Sequence, residues 1–233
     1  MVVSQIVAHK RKNADGEHEG AQYYFMENNK KRNEAISQLV LASSSPRRKE
    51  LVASLDLSLP VYILSTDTDE SIEPDWTPVQ VVEQLSLRKA QAAAAMLRQQ
   101  NADSSVIIGS DTIVVLDGDV LGKPVDDEEA KAMLKRMQGR AHEVYTGVAC
   151  VLSASGEAIV AHRMTKVQMK PLSDERIARY AATGEPRDKA GSYGIQGLGA
   201  TIVDRIDGCY FNVVGLPLSL LSDMLAEYDI HVF

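Results

Sequence analysis

Three hydroxyls and three cations stand together in Ser43-Ser44-Ser45-Pro46-Arg47-Arg48-Lys49. They follow a short apolar run at 39–42, and Pro46 suits the first turn of a helix, where its missing N–H costs nothing. A helix start offers unpaired N–H groups and the positive end of its dipole to an anion. Arginine adds a planar fork that matches phosphate geometry. Cations there oppose the dipole, so a group of three points to a bound phosphate; a plain surface turn or a kinase target site is the alternative. A second group is acidic: Asp67, Asp69, Glu70, Glu73 and Asp75 fall within 66–75 without a basic residue. Taken alone it reads first as a solvated, self-repelling loop, and it lacks the spacing and central glycine of an EF-hand. The third is Gly109-Ser110-Asp111-Thr112, directly after the buried-type run 106–108. A carboxylate there is costly unless a cation or donor meets it. At strand ends of open α/β sheets such groups commonly face a ligand crevice, although a turn aspartate has the same look.

Lys89 continues an apolar helical face made by Val81, Val82 and Leu85, with Ala92, Ala93 and Met96 beyond it. A lysine in such a stripe either snorkels to water or enters a polar cavity. Lys123, in Leu121-Gly122-Lys123-Pro124, follows a hairpin signal and reads equally as a surface-loop lysine. Residues 184–199 hold five glycines together with Tyr193, Ile195 and Gln196, a composition suited to close backbone approach to a ligand. The loop has neither the Gly-Lys-Ser/Thr of a P-loop nor the strand–helix setting of a dinucleotide fingerprint. The five histidines show no metal-ligand spacing, and no G-x-S-x-G elbow is present. Carboxylates beside phosphate-binding cations instead point to phosphoryl chemistry with a hard divalent metal.

The elements that must hold these groups alternate. Short apolar runs at 39–42, 61–64, 106–108 and 113–116 read as strands, the last ending in the hairpin turn Asp117-Gly118. Helical periodicity covers 78–98 and the segment capped by Asp126, with Glu129 three residues on and Gly139 closing it. Strands follow at 142–152 and 158–169, then a helix capped by Ser173 and closed by Gly184, a strand near 200–206 and a terminal helix over 215–228. The expected class is α/β, a mixed sheet flanked by helices. Residues 1–35 mix Lys and Arg with Asp and Glu around the patch Tyr23-Tyr24-Phe25 and are expected to form a mostly disordered leader, with 36–233 as the folded domain.

Composition narrows the partners. The 233 residues carry 25 basic and 32 acidic side chains, net −7, which disfavours non-specific nucleic-acid binding. No apolar run reaches the roughly 20 residues of a membrane span. Cys150 and Cys209 have no CxxC partner, which argues against a disulfide framework and for a cytoplasmic protein.

Taken in order, Leu41-Ala42-Ser43-Ser44-Ser45-Pro46-Arg47-Arg48, Ser110-Asp111-Thr112, Leu121-Gly122-Lys123-Pro124, His142-Glu143-Val144-Tyr145-Thr146-Gly147 and Asp188-Lys189-Ala190-Gly191-Ser192-Tyr193-Gly194-Ile195-Gln196-Gly197 closely resemble the Maf family. These are septum-formation-inhibitor-like nucleotide pyrophosphatases. The resemblance runs from about 39 to 221 and leaves 1–35 without a counterpart. It implies two lobes with a central cleft, similar to the inosine-triphosphate pyrophosphatases, and cleavage of a nucleoside triphosphate to monophosphate and pyrophosphate. It assigns Asp111 as general base and Glu70, with Asp111, to a divalent metal (Mg, Mn or Co). Lys89 and Lys123 fall on catalytic positions, Ser43, Arg47 and Arg48 on phosphate-handling ones. Arg47, Thr112 and Gln196 match positions of substrate choice. The 188–197 loop resembles the dTTP/UTP-type subfamily rather than the 7-methyl-GTP branch, and a homodimer fits the family. A nucleotide-binding regulator of division without turnover is the rival reading.

Overall fold

A computed structural model describes residues 36–100 and 104–233, together with the strands β1 (Val7–His9) and β2 (Tyr23–Phe25). Among the described residues β1 and β2 pair with each other, antiparallel, in a sheet of their own, and the rest of the expected leader lies outside the described residues. The main sheet has seven strands, in the order β4-β3-β5-β7-β8-β9 with β6 on β5. These are β3 (Gln38–Ala42), β4 (Val61–Ile63), β5 (Ser105–Leu116), β6 (Asp119–Leu121), β7 (Ala141–Leu152), β8 (Ala158–Met169) and β9 (Val203–Asp207). Parallel and antiparallel pairs both occur, which bears out the mixed α/β class. The chain divides into two compact units, the first made of residues up to Asp111 with Gly147–Arg163 and Leu218–Phe233, the second of Thr112–Thr146 and Met164–Pro217.

In the first unit β3 pairs in parallel with β4 and β5, with Leu39 opposite both Val61 and Val106. Leu39, Val40 and Leu41 are buried together with Val106, Ile107 and Ile108, the near-continuous apolar run expected of a strand covered on both faces. Helix α1 (Pro46–Ala53) leaves β3 after three serines, with Ser45 as N-cap and Pro46 in its first turn. Helix α2 (Pro78–Gln99) opens with a capping box: Thr77 Oγ1 accepts from Gln80 N, while Gln80 Oε1 accepts from Thr77 N. Val81, Val82, Leu85, Ala90, Ala93 and Ala94 form its buried face. A Cβ on Gly109 of β5 would stand 2.2 Å from Ser86 O, and one on Gly147 of β7 would stand 2.1 Å from Val82 O. The α2 backbone therefore rests on the strands at two glycines. Buried His162 Nδ1 and Glu83 Oε1, 2.8 Å apart, tie the same helix to β8.

In the second unit β5 and β6 form a tight hairpin whose two central residues, Asp117 and Gly118, have φ of 55° and 88°, as a type I′ turn requires. Helix α3 (Asp127–Met137) is capped by Asp126, and α4 (Asp174–Ala182) by Ser173. Their apolar faces join Val114, Leu116, Val144, Val167, Met169 and Ile202 in one core. The chain end departs from expectation. The helix expected over 215–228 is α6 (Leu218–Ala226), in the first unit, and a short helix α5 (Tyr210–Val214), which the sequence pattern did not indicate, precedes it. Gly215, at φ 122°, and Pro217 break the helical path between them. Residues 106–108 and 113–116, read as separate strands, belong to the single twelve-residue β5.

Candidate active site

At the start of α1, Ser43 Oγ accepts from Ser45 N at 3.2 Å, and Ser45 Oγ accepts from Arg48 N at 3.5 Å. These bonds fix the turn that delivers Arg47 and Arg48 in the first helical turn. Burial lowers the Arg48 guanidinium from its ordinary range; Asp111 opposes that shift, Arg47 adds to it, and Glu70 opposes it. Arg48 thus lies within electrostatic reach of both carboxylates while remaining a permanent cation.

The two carboxylates share one ammonium. Lys89 Nζ is 2.8 Å from Glu70 Oε1 and 2.5 Å from Asp111 Oδ1. The Lys89 and Asp111 side chains are 14 % and 13 % exposed and that of Glu70 is 56 % exposed, so the pair inside is sheltered and the third member reaches water. Asp111 is held by β5 and Lys89 by α2, whose closest approach to β5 is at Gly109. Glu70 is presented by the acidic loop, which is less irregular than its composition implies. Arg88, on α2, donates to Asp69 O and Ser71 O and lies 5.1 Å from the Trp76 ring centre. Asp69 accepts from both the N–H and the hydroxyl of Ser71, bonds that hold its carboxyl below the usual range. Those contacts fold the loop against α2.

Among the described residues no group of three or more His, Cys, Asp or Glu is disposed to hold a metal. Glu70 and Asp111, whose oxygens both meet Lys89 Nζ, are carboxylate donors of the kind a hard divalent ion of the magnesium type takes, with further ligands left to phosphate and water.

The second unit carries Thr112, Lys123 and Gln196. Thr112 Oγ1 lies 2.9 Å from Thr146 Oγ1. Lys123 is exposed just beyond β6. Gln196 is half-buried in the glycine-rich segment, which is three short 3-10 turns rather than an open loop. Glu185 pins that segment: its carboxylate accepts from Leu198 N at 2.9 Å, Gly199 N at 2.8 Å and Tyr180 Oη at 2.8 Å. Tyr180 Oη in turn accepts from Gly194 N. Burial opposes ionisation of Glu185, but the three bonds outweigh it and its pKa is lowered. Glycine at 199 is required by close approach, since a Cβ would meet Gly194 O at 2.2 Å. Glu185, Tyr180 and the two glycines under α2 carry no chemistry of their own, and residue type alone did not single them out.

Both cysteines are unbonded, and burial pushes the Cys150 thiol up to about 12. No helix among the described residues is long and apolar enough to cross a membrane.

Comparison with known proteins places this geometry. The family model described as Maf-like protein matches residues 38–228. A dTTP/UTP pyrophosphatase of Pelotomaculum thermopropionicum is 48% identical over 197 residues, covering 84% of this chain and 100% of its own. Proteins of the same name from Desulforamulus reducens and Moorella thermoacetica are 46% and 48% identical, covering 83% and 85% of this chain and 98% of their own. A solved nucleoside-triphosphatase / dITP/XTP pyrophosphatase from Mycobacterium abscessus aligns with 57% of this chain and 72% of its own, at 21% identity and a TM-score of 0.32, a likeness too slight to bear on fold or function. With the serine–arginine turn, the aspartate on β5 and the glycine-rich segment all inside the matched span, the chain belongs to the Maf family.

Proposed function

We propose that this protein hydrolyses nucleoside triphosphates, dTTP and UTP foremost and modified pyrimidine nucleotides with them, to the monophosphate and pyrophosphate. The observation that carries this is the Glu70–Lys89–Asp111 cluster beside Arg48. Relatives 46% to 48% identical that are named for dTTP and UTP support the substrate.

Attack of water on the α-phosphorus breaks the bond to the β-phosphate bridging oxygen and releases pyrophosphate. Asp111 takes the proton of the attacking water, and Lys89 orients the Asp111 carboxylate through its bond to Oδ1. Arg47, Arg48 and Ser43 bind phosphate oxygens at the start of α1, and Lys123 offsets charge on the leaving pyrophosphate. Glu70 and Asp111 would hold a divalent metal, Mg²⁺, Mn²⁺ or Co²⁺, which supplies charge neutralisation to the phosphates when bound. Arg47, Thr112 and Gln196 select the base. A house-cleaning role in the cytoplasm, as a homodimer, accords with the family and with two unbonded cysteines.

The test is pyrophosphate release over a panel of standard and modified nucleoside triphosphates with each of the three ions. UTP and dTTP are expected to lead, with one pyrophosphate and one monophosphate per turnover and none after chelation. Release of orthophosphate alone, or no turnover of any member, contradicts the proposal.

A further inference from the structure

The Thr112 hydroxyl belongs to a chain of hydrogen bonds with a fixed direction. Thr146 is fully buried, and its Oγ1 lies 2.8 Å from the main-chain carbonyl oxygen of Asn212. A carbonyl only accepts, so the single hydroxyl proton of Thr146 is committed to it. Thr146 Oγ1 also lies 2.9 Å from Thr112 Oγ1. With its own proton spent, Thr146 can only accept in that contact, and Thr112 must donate. Any further group that meets Thr112 Oγ1 therefore meets a lone pair.

Asn212 keeps this direction in place. It is fully buried on α5, and its side-chain amide donates to Val144 O at 2.9 Å and to Thr165 Oγ1 at 3.0 Å. Thr165 Oγ1 donates to Cys209 O and accepts from Cys209 N, which closes the network onto the residue before α5. The Asn212 carbonyl that takes the Thr146 proton is thus held from both sides of the short helix.

We infer that Thr146 and Asn212 are positioning residues that make Thr112 an obligate acceptor, and that this selects bases presenting a ring N–H, uracil and thymine, over cytosine. Uracil and thymine carry a proton on N3, whereas cytosine N3 is itself a lone pair and would face the Thr112 oxygen with repulsion in place of a bond. This rests on the proposed reading in which Thr112 meets the base. Neither Thr146 nor Asn212 touches the nucleotide; both act through the hydroxyl of Thr112.

Two variants separate the idea from a general structural role because they move opposite substrates. Thr146→Val removes the acceptor of the Thr112 proton, so the hydroxyl can turn and donate to cytosine N3. The ratio of affinities for non-hydrolysable α,β-imido UTP and CTP should fall about five- to tenfold, chiefly through tighter CTP-analogue binding. Thr112→Val deletes the oxygen, so the same ratio should fall chiefly through weaker UTP-analogue binding. Thr146→Ser, which keeps the relay, should restore the original ratio. Equal loss of both analogues in Thr146→Val, or an unaltered ratio in a folded variant, overturns the inference. Should Thr146→Val not fold, Thr112→Val and Thr146→Ser decide it: an unaltered ratio in the first or a lost ratio in the second contradicts it. Pyrophosphate release from UTP by the wild-type protein, measured in parallel, reports separately on the pyrophosphatase reading, since the analogue affinities require no turnover.

Discussion

Lys89 sets the character of the site, because a single ammonium restrains two carboxylates of different exposure. A sheltered aspartate beside a cation is a suitable proton acceptor, while the more exposed Glu70 can turn toward an arriving ion. Asp111 and the arginines were legible in residue type and context. Glu70 was legible only through the family resemblance, since five carboxylates share its loop and nothing in their spacing marks the one that meets Lys89. A buried histidine gives a prediction at the same scale. His142 Nε2 lies 2.7 Å from Tyr193 Oη, its Nδ1 has no hydrogen-bond partner among the described residues, and burial pulls its pKa from 6.5 to about 4. The unfolded chain binds this proton first, so the stability it contributes is full above about 6.5 and lost as pH falls toward 4. Urea unfolding of the wild type between pH 7 and 4 should lose about 3 kcal/mol more than that of His142→Gln. Parallel pH profiles for the two proteins would contradict the assignment.

Helix α2 is the element that assembles the cluster. Its cap, length and buried face follow from Thr77, Pro78, Gln80 and the apolar spacing, and the expected span 78–98 agrees with Pro78–Gln99 to one residue. Its docking is another matter. Gly109 and Gly147 let its backbone lie on two strands, and nothing in helical periodicity reports the residue on the far side of a contact. Gly109→Ala should push α2 away beside Ala90, the neighbour of Lys89. A loss of about 1–3 kcal/mol of stability is expected. A fall in kcat of at least about tenfold should accompany it, because Lys89 leaves its place. Full turnover in a destabilised Gly109→Ala protein would show that Lys89 does not need this docking. The same limit explains β5: Gly109-Ser110-Asp111-Thr112 interrupts its apolar run, so one strand read as two. At the chain end the expected helix over 215–228 corresponds to α6 alone, and the five-residue α5 before Gly215 is too short for helical periodicity to report.

At the scale of the molecule, the −7 charge is distributed rather than uniform. Residues 43–50 carry three cations and one anion, while 66–75 carry five carboxylates, a division suited to gripping phosphate with one segment and a metal with the other. Each compact unit has its own apolar core, one around Val40, Ala90, Ile107 and Val151, the other around Leu134, Met137, Met169 and Ile177. Among the described residues β1 and β2 form a two-stranded sheet of their own, and the family model's match begins at residue 38. The chain from residue 36 onward should therefore fold and release pyrophosphate within about twofold of the full-length rate; loss of folding or turnover would assign the leader a working role. The central claim is that Asp111 is the base of a pyrophosphatase, and Asp111→Asn tests it most directly. With UTP and a divalent metal, the variant should bind nucleotide and unfold at a temperature close to the wild type, while pyrophosphate release falls at least about a hundredfold. Pyrophosphate release at the wild-type rate would contradict the account.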